Sequence, residues 1–405
     1  MLSRYAKSYD VSLIIIIILI SLFGLVMVYS SSMVIATTDK YEAASDFFYQ
    51  KQKLNLIASF FVFMLVALIP YKIYKHKYIL ISIFIVSLSV LFLLGIVGHT
   101  TNNAQSWFKL GGRSLQPSEF IKVGMIIYLS AVYAKKQSYI NNFNVGVLPP
   151  IVFLFFICFL IAIQPDIGTA AIMGLIGMAI VISSGMSFKT IMKFIGILAL
   201  LGLLASPFIY INRDDIFSDN RLGRIDSFIN PFEYEEDEGY QIVNSYIAIG
   251  TGGLTGVGLG NSVLKYGYLP EAHTDFIMAI VSEELGLAGV LFVFFCLGFI
   301  ILKGFWIASR CKDAFGSLLA LGISSMIGIQ SFINLGGLSG IIPITGVTLP
   351  FISYGGSSIL VLAISMGILV NVSMFTNYEN RYKITNQQQS EKSEILSSAK
   401  SFHLN

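Results

Sequence analysis

The stretch Tyr268-Leu-Pro-Glu-Ala-His-Thr-Asp-Phe276 runs directly into an apolar segment, 276–301, long enough to cross a bilayer. It places Glu271, His273 and Asp275 within five residues at a membrane edge. Ionisable groups there are costly unless they act on something or meet a partner. Two readings stand. Thr274 or Asp275 caps the coming helix, and the acid meets the positive end of its dipole. Or Asp275 is a general base that takes a proton from a substrate hydroxyl at the mouth of a cavity.

Working outward, the same apolar character recurs along the whole chain. Of 405 residues 55% are hydrophobic and 12% are charged; the mean hydropathy is +0.76. Soluble domains carry roughly 25% charged residues, so the chain reads as an all-α polytopic membrane protein. Apolar runs predict ten transmembrane helices at 11–33, 54–70, 78–97, 118–134, 146–163, 169–184, 191–210, 276–301, 315–335 and 358–375. The first run follows Arg4 and Lys7 without a small-residue cleavage site and reads as a retained helix. With the N-terminus cytoplasmic, inner segments hold 16 of the 26 Lys and Arg and outer segments 9, with Lys122 inside a helix. That asymmetry places both termini inside. Three parts follow: a cytoplasmic N-terminus 1–10, a membrane domain 11–375 with a large outer loop 211–275 between helices seven and eight, and a polar tail 376–405 that reads as disordered.

Several chemistries are excluded. A net charge of +3 is too small to imply nucleic acid. Three cysteines, at 158, 296 and 311, and four scattered histidines form no disulfide framework or zinc pattern. No Gly-x-x-x-x-Gly-Lys-Ser/Thr run is present.

The unusual residues fall in the outer segments. Loop 98–117 carries Trp107, Lys109, Arg113 and Gln116; Trp107 reads as an interface anchor or a sugar platform. The fourth helix opens Gln116-Pro-Ser-Glu119-Phe-Ile-Lys122, and the i, i+3 spacing puts Glu119 and Lys122 on one face, able to pair or to hold a polar substrate. Gln164-Pro-Asp166-Ile-Gly168 is a short loop. The long loop holds Arg213, Arg221, Arg224, Lys265 and an acidic run, 235–238. Segment 239–250 has helical apolar spacing and predicts a short interfacial helix. Glycines 250, 252, 253, 256, 258 and 260 read as a flexible loop or as a phosphate-holding nest. Glu283 and Glu284 lie inside the eighth span and must face protein or water; Glu284 reads as structural. The uncharged stretch 336–357, which includes Ser353, reads as re-entrant backbone lining a cavity or as a tight turn.

These motifs together resemble the FtsW/RodA/SpoVE (SEDS) family of bacterial cell-wall proteins over most of 11–375. They include Gln116-Pro-Ser-Glu119 with Lys122, Gln164-Pro-Asp166-x-Gly168-Thr169, Arg221 and Arg224 before Asn230-Pro231, Leu269 to Phe276, Glu283-Glu284-Leu-Gly286 and Pro350 to Ser358. The run Ser262 to Tyr268 is closer to the division branch than to the elongation branch. The resemblance implies ten helices and a peptidoglycan glycosyltransferase in the bacterial plasma membrane, acting at the division septum. It implies lipid II as substrate, and a class B penicillin-binding protein and other divisome membrane proteins as partners. Asp275 falls on the family's essential aspartate. An α-linked donor and a β-1,4 product imply inversion in one displacement, by analogy with inverting hydrolases. Trp107, Lys109, Arg113, Gln116, Glu119, Lys122, Gln164, Asp166, Arg221, Arg224, Lys265, Glu271, His273 and Ser353 are the candidate substrate-binding residues. Cationic side chains, or a divalent cation such as Mg or Mn, would stabilise the departing pyrophosphate. A lipid II flippase, a division scaffold and an elongation role are the rival readings.

Overall fold

The structure, a computed structural model, describes residues 2–38, 41–101, 104–110, 113–164, 166–193, 195–196, 203, 207, 223, 226–236 and 239–383. Its main helices are α1 (Val11–Ser32), α2 (Phe47–Leu68), α3 (Lys77–Val97), α4 (Pro117–Lys135), α5 (Leu148–Ile163) and α6 (Ile167–Ser183). They continue with α7 (Tyr240–Gly252), α8 (Ile277–Arg310), α9 (Ala314–Leu338) and α10 (Gly356–Tyr378).

Among the described residues seven helices are long and apolar enough to cross a membrane. They are α1, α2, α3, α5 with the turn before it, α8, α9 and α10. Helix α4 carries Glu119, Lys122 and Lys135, which lower its apolar character. Helix α6 has 17 residues, and most of the expected span 191–210 lies outside the described residues, as does most of the tail.

Leu22 of α1, Leu65 and Leu68 of α2 and Phe92 of α3 are exposed, while the opposite faces are buried. Apolar groups on the outside of a bundle whose polar groups face inward suit lipid rather than water. The core lies around α9 and α10, which are buried along most of their length. Helix α9 packs on α8, α4 and α6, and α10 lies along α2.

The expectation of an all-α chain needs one correction. Loop 98–117 folds into a small antiparallel sheet of β1 (His99–Thr101), β2 (Ala104–Leu110) and β3 (Arg113–Leu115), in the order β1-β2-β3. Leu110 pairs with Arg113 and Phe108 with Leu115, so the sequence Gly111-Gly112 separates two paired strands. That dipeptide is a hairpin signal in its own right.

Helix α8 is also not continuous. Gly286, at φ 60 and ψ −152, breaks it after Glu283 and Glu284. The glycine-rich loop after α7 fills the break. Val257 N donates to Glu283 O, Gly258 N to Glu284 O, and Leu287 N to Gly253 O. Backbone groups freed by a broken membrane helix must find partners inside the protein, and this loop supplies them. The approach requires glycine: at Gly256, φ +72, a β-carbon would stand 2.3 Å from Glu284 O. The glycines therefore dock a loop onto a helix break instead of leaving it flexible or forming a phosphate nest. The short helix expected at 239–250 is present as α7, packed on α8.

Candidate functional site

At one end of the bundle α1, α3, α5 and α9 finish and α2, α4, α6, α8 and α10 begin. The loop before α8 sits here. Helix α8 starts at Ile277, and its N-cap, Phe276, makes no side-chain capping bond. Thr274 does not cap either: its Oγ1 donates back to Glu271 Oε2 at 2.8 Å. Glu271 takes φ 54, an unusual conformation for a residue with a β-carbon. Its carbonyl accepts from Thr274 N and Phe276 N, closing a tight turn.

The backbone of this turn is then gripped from outside. Three successive carbonyls are taken by three donors from elsewhere in the chain. His273 O accepts from Tyr354 N at 2.9 Å, Thr274 O from Ser353 Oγ at 2.6 Å, and Asp275 O from Asn334 Nδ2 at 2.8 Å. The His273 ring clusters with Phe48 and Tyr354, with centroids 4.5 and 5.6 Å away. Burial, with Tyr41 a lesser contributor, pushes the Tyr354 hydroxyl above its ordinary pKa, so it stays protonated. Gln52 ties the cradle to α2 through Ser353 O and Gly355 N.

Asp275 itself is half-buried. It lines a narrow pocket with Asn334, Ile344, Thr345 and Gly346. A β-carbon at Gly346, φ +70, would lie 3.5 Å from Asp275 Oδ2, and one at Gly168 would lie 3.2 Å from Thr345 O. The 344–347 segment thus lies between the Asp275 carboxylate and the start of α6. There Asp166 is the N-cap, accepting from Thr169 N at 3.1 Å. Two motifs more than a hundred residues apart in sequence meet on either side of this segment.

Lys122 Nζ donates to Glu119 Oε1 at 2.7 Å; Lys122 is almost wholly buried and Glu119 largely so. The spacing argument for a pair holds. Gln116 N donates to Ser357 Oγ at 3.2 Å, which joins the start of α4 to the start of α10. Trp107 is half-buried in β2 opposite His99. The side chains of Lys109 and Arg113, and all of Arg213, Arg221 and Arg224, lie outside the described residues.

Three candidates take packing roles. Ser353 is buried, its hydroxyl held between Thr274 O and Leu349 N. Gln164 is buried and donates to Leu91 O at 2.8 Å, joining the end of α5 to α3. Lys265 is enclosed: its ammonium meets Glu284 at 3.0 Å and Gly260 O. Glu284 also accepts from Ser30 of α1, and Glu283 accepts from Ser262 and Val263. The structural reading of Glu284 holds, whereas Lys265 has no face toward a substrate. Sequence reasoning passed over Asn334, an amide in an apolar helix whose role depends on contacts remote in sequence. Among the described residues no three His, Cys, Asp or Glu side chains converge as a metal site.

A bundle of membrane-length helices, with a half-buried acid held at one end by three imported hydrogen bonds, defines a polytopic membrane protein with a polar site at the bilayer edge. The chain belongs to the FtsW/RodA/SpoVE family: the family model described as "Cell cycle protein" matches residues 10–378. It is 56% identical over 384 residues to the "Probable peptidoglycan glycosyltransferase FtsW" of Bacillus subtilis (strain 168), covering 95% of each chain. It is 38% identical to "Stage V sporulation protein E" of the same organism, covering 91% of this chain and 98% of the relative. Among solved structures it resembles a chain from "Structural coordination of polymerization and crosslinking by a peptidoglycan synthase complex". That match has a TM-score of 0.72 at 23% identity and covers 91% of this chain and 98% of that one. Thermus thermophilus rod shape determining protein RodA matches with a TM-score of 0.62 at 22% identity, covering 92% of this chain and 98% of that one. At these identities the two structures establish the fold alone.

Proposed function

We propose that this chain is a peptidoglycan glycosyltransferase that polymerises lipid II at the outer face of the bacterial plasma membrane during septal wall synthesis. The observation that carries the reading is Asp275, half-buried at the bilayer edge, with its backbone held on three sides and its carboxylate beside Gly346. The 56% identity to a relative named as such an enzyme supports the substrate class. In this reading the chain has ten spans and both termini are cytoplasmic, as the Lys and Arg distribution favours.

The chemistry follows from the substrate. The 4-hydroxyl of an acceptor GlcNAc attacks the anomeric carbon of the donor MurNAc. A new glycosidic bond forms there as the bond to undecaprenyl pyrophosphate breaks, and the configuration inverts. The hydroxyl proton passes to the Asp275 carboxylate. The pyrophosphate leaves with its charge met by cationic side chains. Lys122 and Lys265 are already engaged by Glu119 and Glu284, so that role falls to Arg213, Arg221, Arg224, Lys109 or Arg113. No step is routed through a metal. In this reading Glu119 and Lys122, at the start of α4, and Asp166, at the start of α6, contact the substrate. A class B penicillin-binding protein would crosslink the emerging strand, in keeping with the synthase complex whose chain shares this fold.

The direct test is purified protein with labelled lipid II and no other polymerase. Glycan strands are expected. Failure of the wild-type protein, with and without a transpeptidase partner, would leave the flippase or scaffold readings.

A further inference from the structure

Asn334 lies near the C-terminal end of α9 and is buried. Its Nδ2 donates twice, to Asp275 O at 2.8 Å and to Val347 O at 2.7 Å. A carboxamide nitrogen has two N–H donors, and both are spent on backbone carbonyls. Two acceptors on one side fix which end of the amide faces them. The Oδ1 is enclosed and makes no hydrogen bond among the described residues, which is costly for a buried acceptor. An apolar side chain here would avoid that cost but lose both donated bonds.

The two carbonyls are the relevant ones. Residue 275 precedes α8, and the N–H of Ala279, four residues on, goes to Phe276 O instead. Asn334 takes the Asp275 carbonyl. Val347 follows Gly346, the residue beside Asp275 Oδ2. One side chain therefore ties the backbone of the acid to the wall that the acid faces.

We infer that Asn334 is a positioning residue for the transferase reaction, clamping Asp275 and the 344–347 wall in fixed register so that the carboxylate meets the acceptor hydroxyl. This rests on the reading of Asp275 as the base. A misplacement of about 1 Å in such a site can cost on the order of 10²-fold in rate. The clamp touches the backbone of the base and not the substrate, so the loss falls on kcat, with KM for lipid II little changed.

The test is polymerisation kinetics on Asn334→Asp, which keeps the size and removes the N–H donors. It is paired with hydrogen exchange at the amides of 274–277 and 346–349, and activity is normalised to monodisperse, folded protein. A kcat lower by about tenfold or more at near wild-type KM is expected, with faster exchange in both segments and not elsewhere. Asn334→Ser, which adds no charge and keeps one donor, should lie between Asn334→Asp and wild type; it carries the test alone if the aspartate variant does not fold. Wild-type kcat per folded molecule in either variant overturns the clamp. Asp275→Asn in the same assay separates the two claims. If it is inactive while Asn334 variants are normal, only the clamp fails; if it is active, the reading of the base fails.

Discussion

Lys265 Nζ lies 3.0 Å from Glu284 Oε1, and both side chains are fully enclosed by protein. Around them Ser30 reaches in from α1 and Gly260 O from the loop that fills the break in α8. The pair therefore joins three parts of the chain at the point where a membrane helix is interrupted. Removing one partner leaves a buried charge alone, which costs roughly 3–5 kcal/mol. Lys265→Ala is expected to lower the thermal unfolding midpoint sharply, and Lys265→Met with Glu284→Leu to recover much of it. An Ala variant as stable as wild type but weak in lipid II use would return Lys265 to the substrate.

The Glu119–Lys122 pair differs because Glu119 keeps some exposure. Lys122→Ala strands that carboxylate and should reduce folded yield. The swap Glu119→Lys with Lys122→Glu should restore part of the yield. Measured polymerisation then separates two roles: recovery of stability without activity means the pair also orients substrate. Normal folding of both single variants, with no gain from the swap, would contradict the pairing role.

Orientation is open to chemical labelling. With Cys158, Cys296 and Cys311 replaced, single cysteines near Lys40, Gly223 and Ser339 should react with an impermeant maleimide from outside. Those near Lys75 and Lys312 should not. Labelling of the Ser339 position only after permeabilisation would put Asp275 on the cytoplasmic side and remove the substrate from its reach.

What could be read from the sequence was what local spacing encodes. Apolar runs located the seven long helices, the i, i+3 rule found Glu119 with Lys122, and the period of 239–250 found α7. The motif before α8 pointed to Asp275. Contacts between distant segments were not readable in this way. Ser353, Gln164 and Lys265 look like exposed polar residues in a loop sequence, but each meets a partner that only the folded chain supplies. The break at Gly286 was hidden inside a run that reads as one helix. The sheet at 99–115 was not legible because two of its three strands have only 3 residues, too few to show an alternating pattern.

The central claim is that Asp275 is the base. Asp275→Asn keeps the size and the backbone carbonyl that Asn334 holds, but it cannot accept the hydroxyl proton. Loss of a general base costs typically about 10²–10⁴-fold. The measurement is glycan strand formation from labelled lipid II by purified wild-type and Asp275→Asn protein, matched for folded content and for binding to the transpeptidase partner. The account predicts strands from wild type and none detectable from the variant, with Asp275→Glu retaining at most a trace. Equal polymerisation by wild type and Asp275→Asn would contradict it.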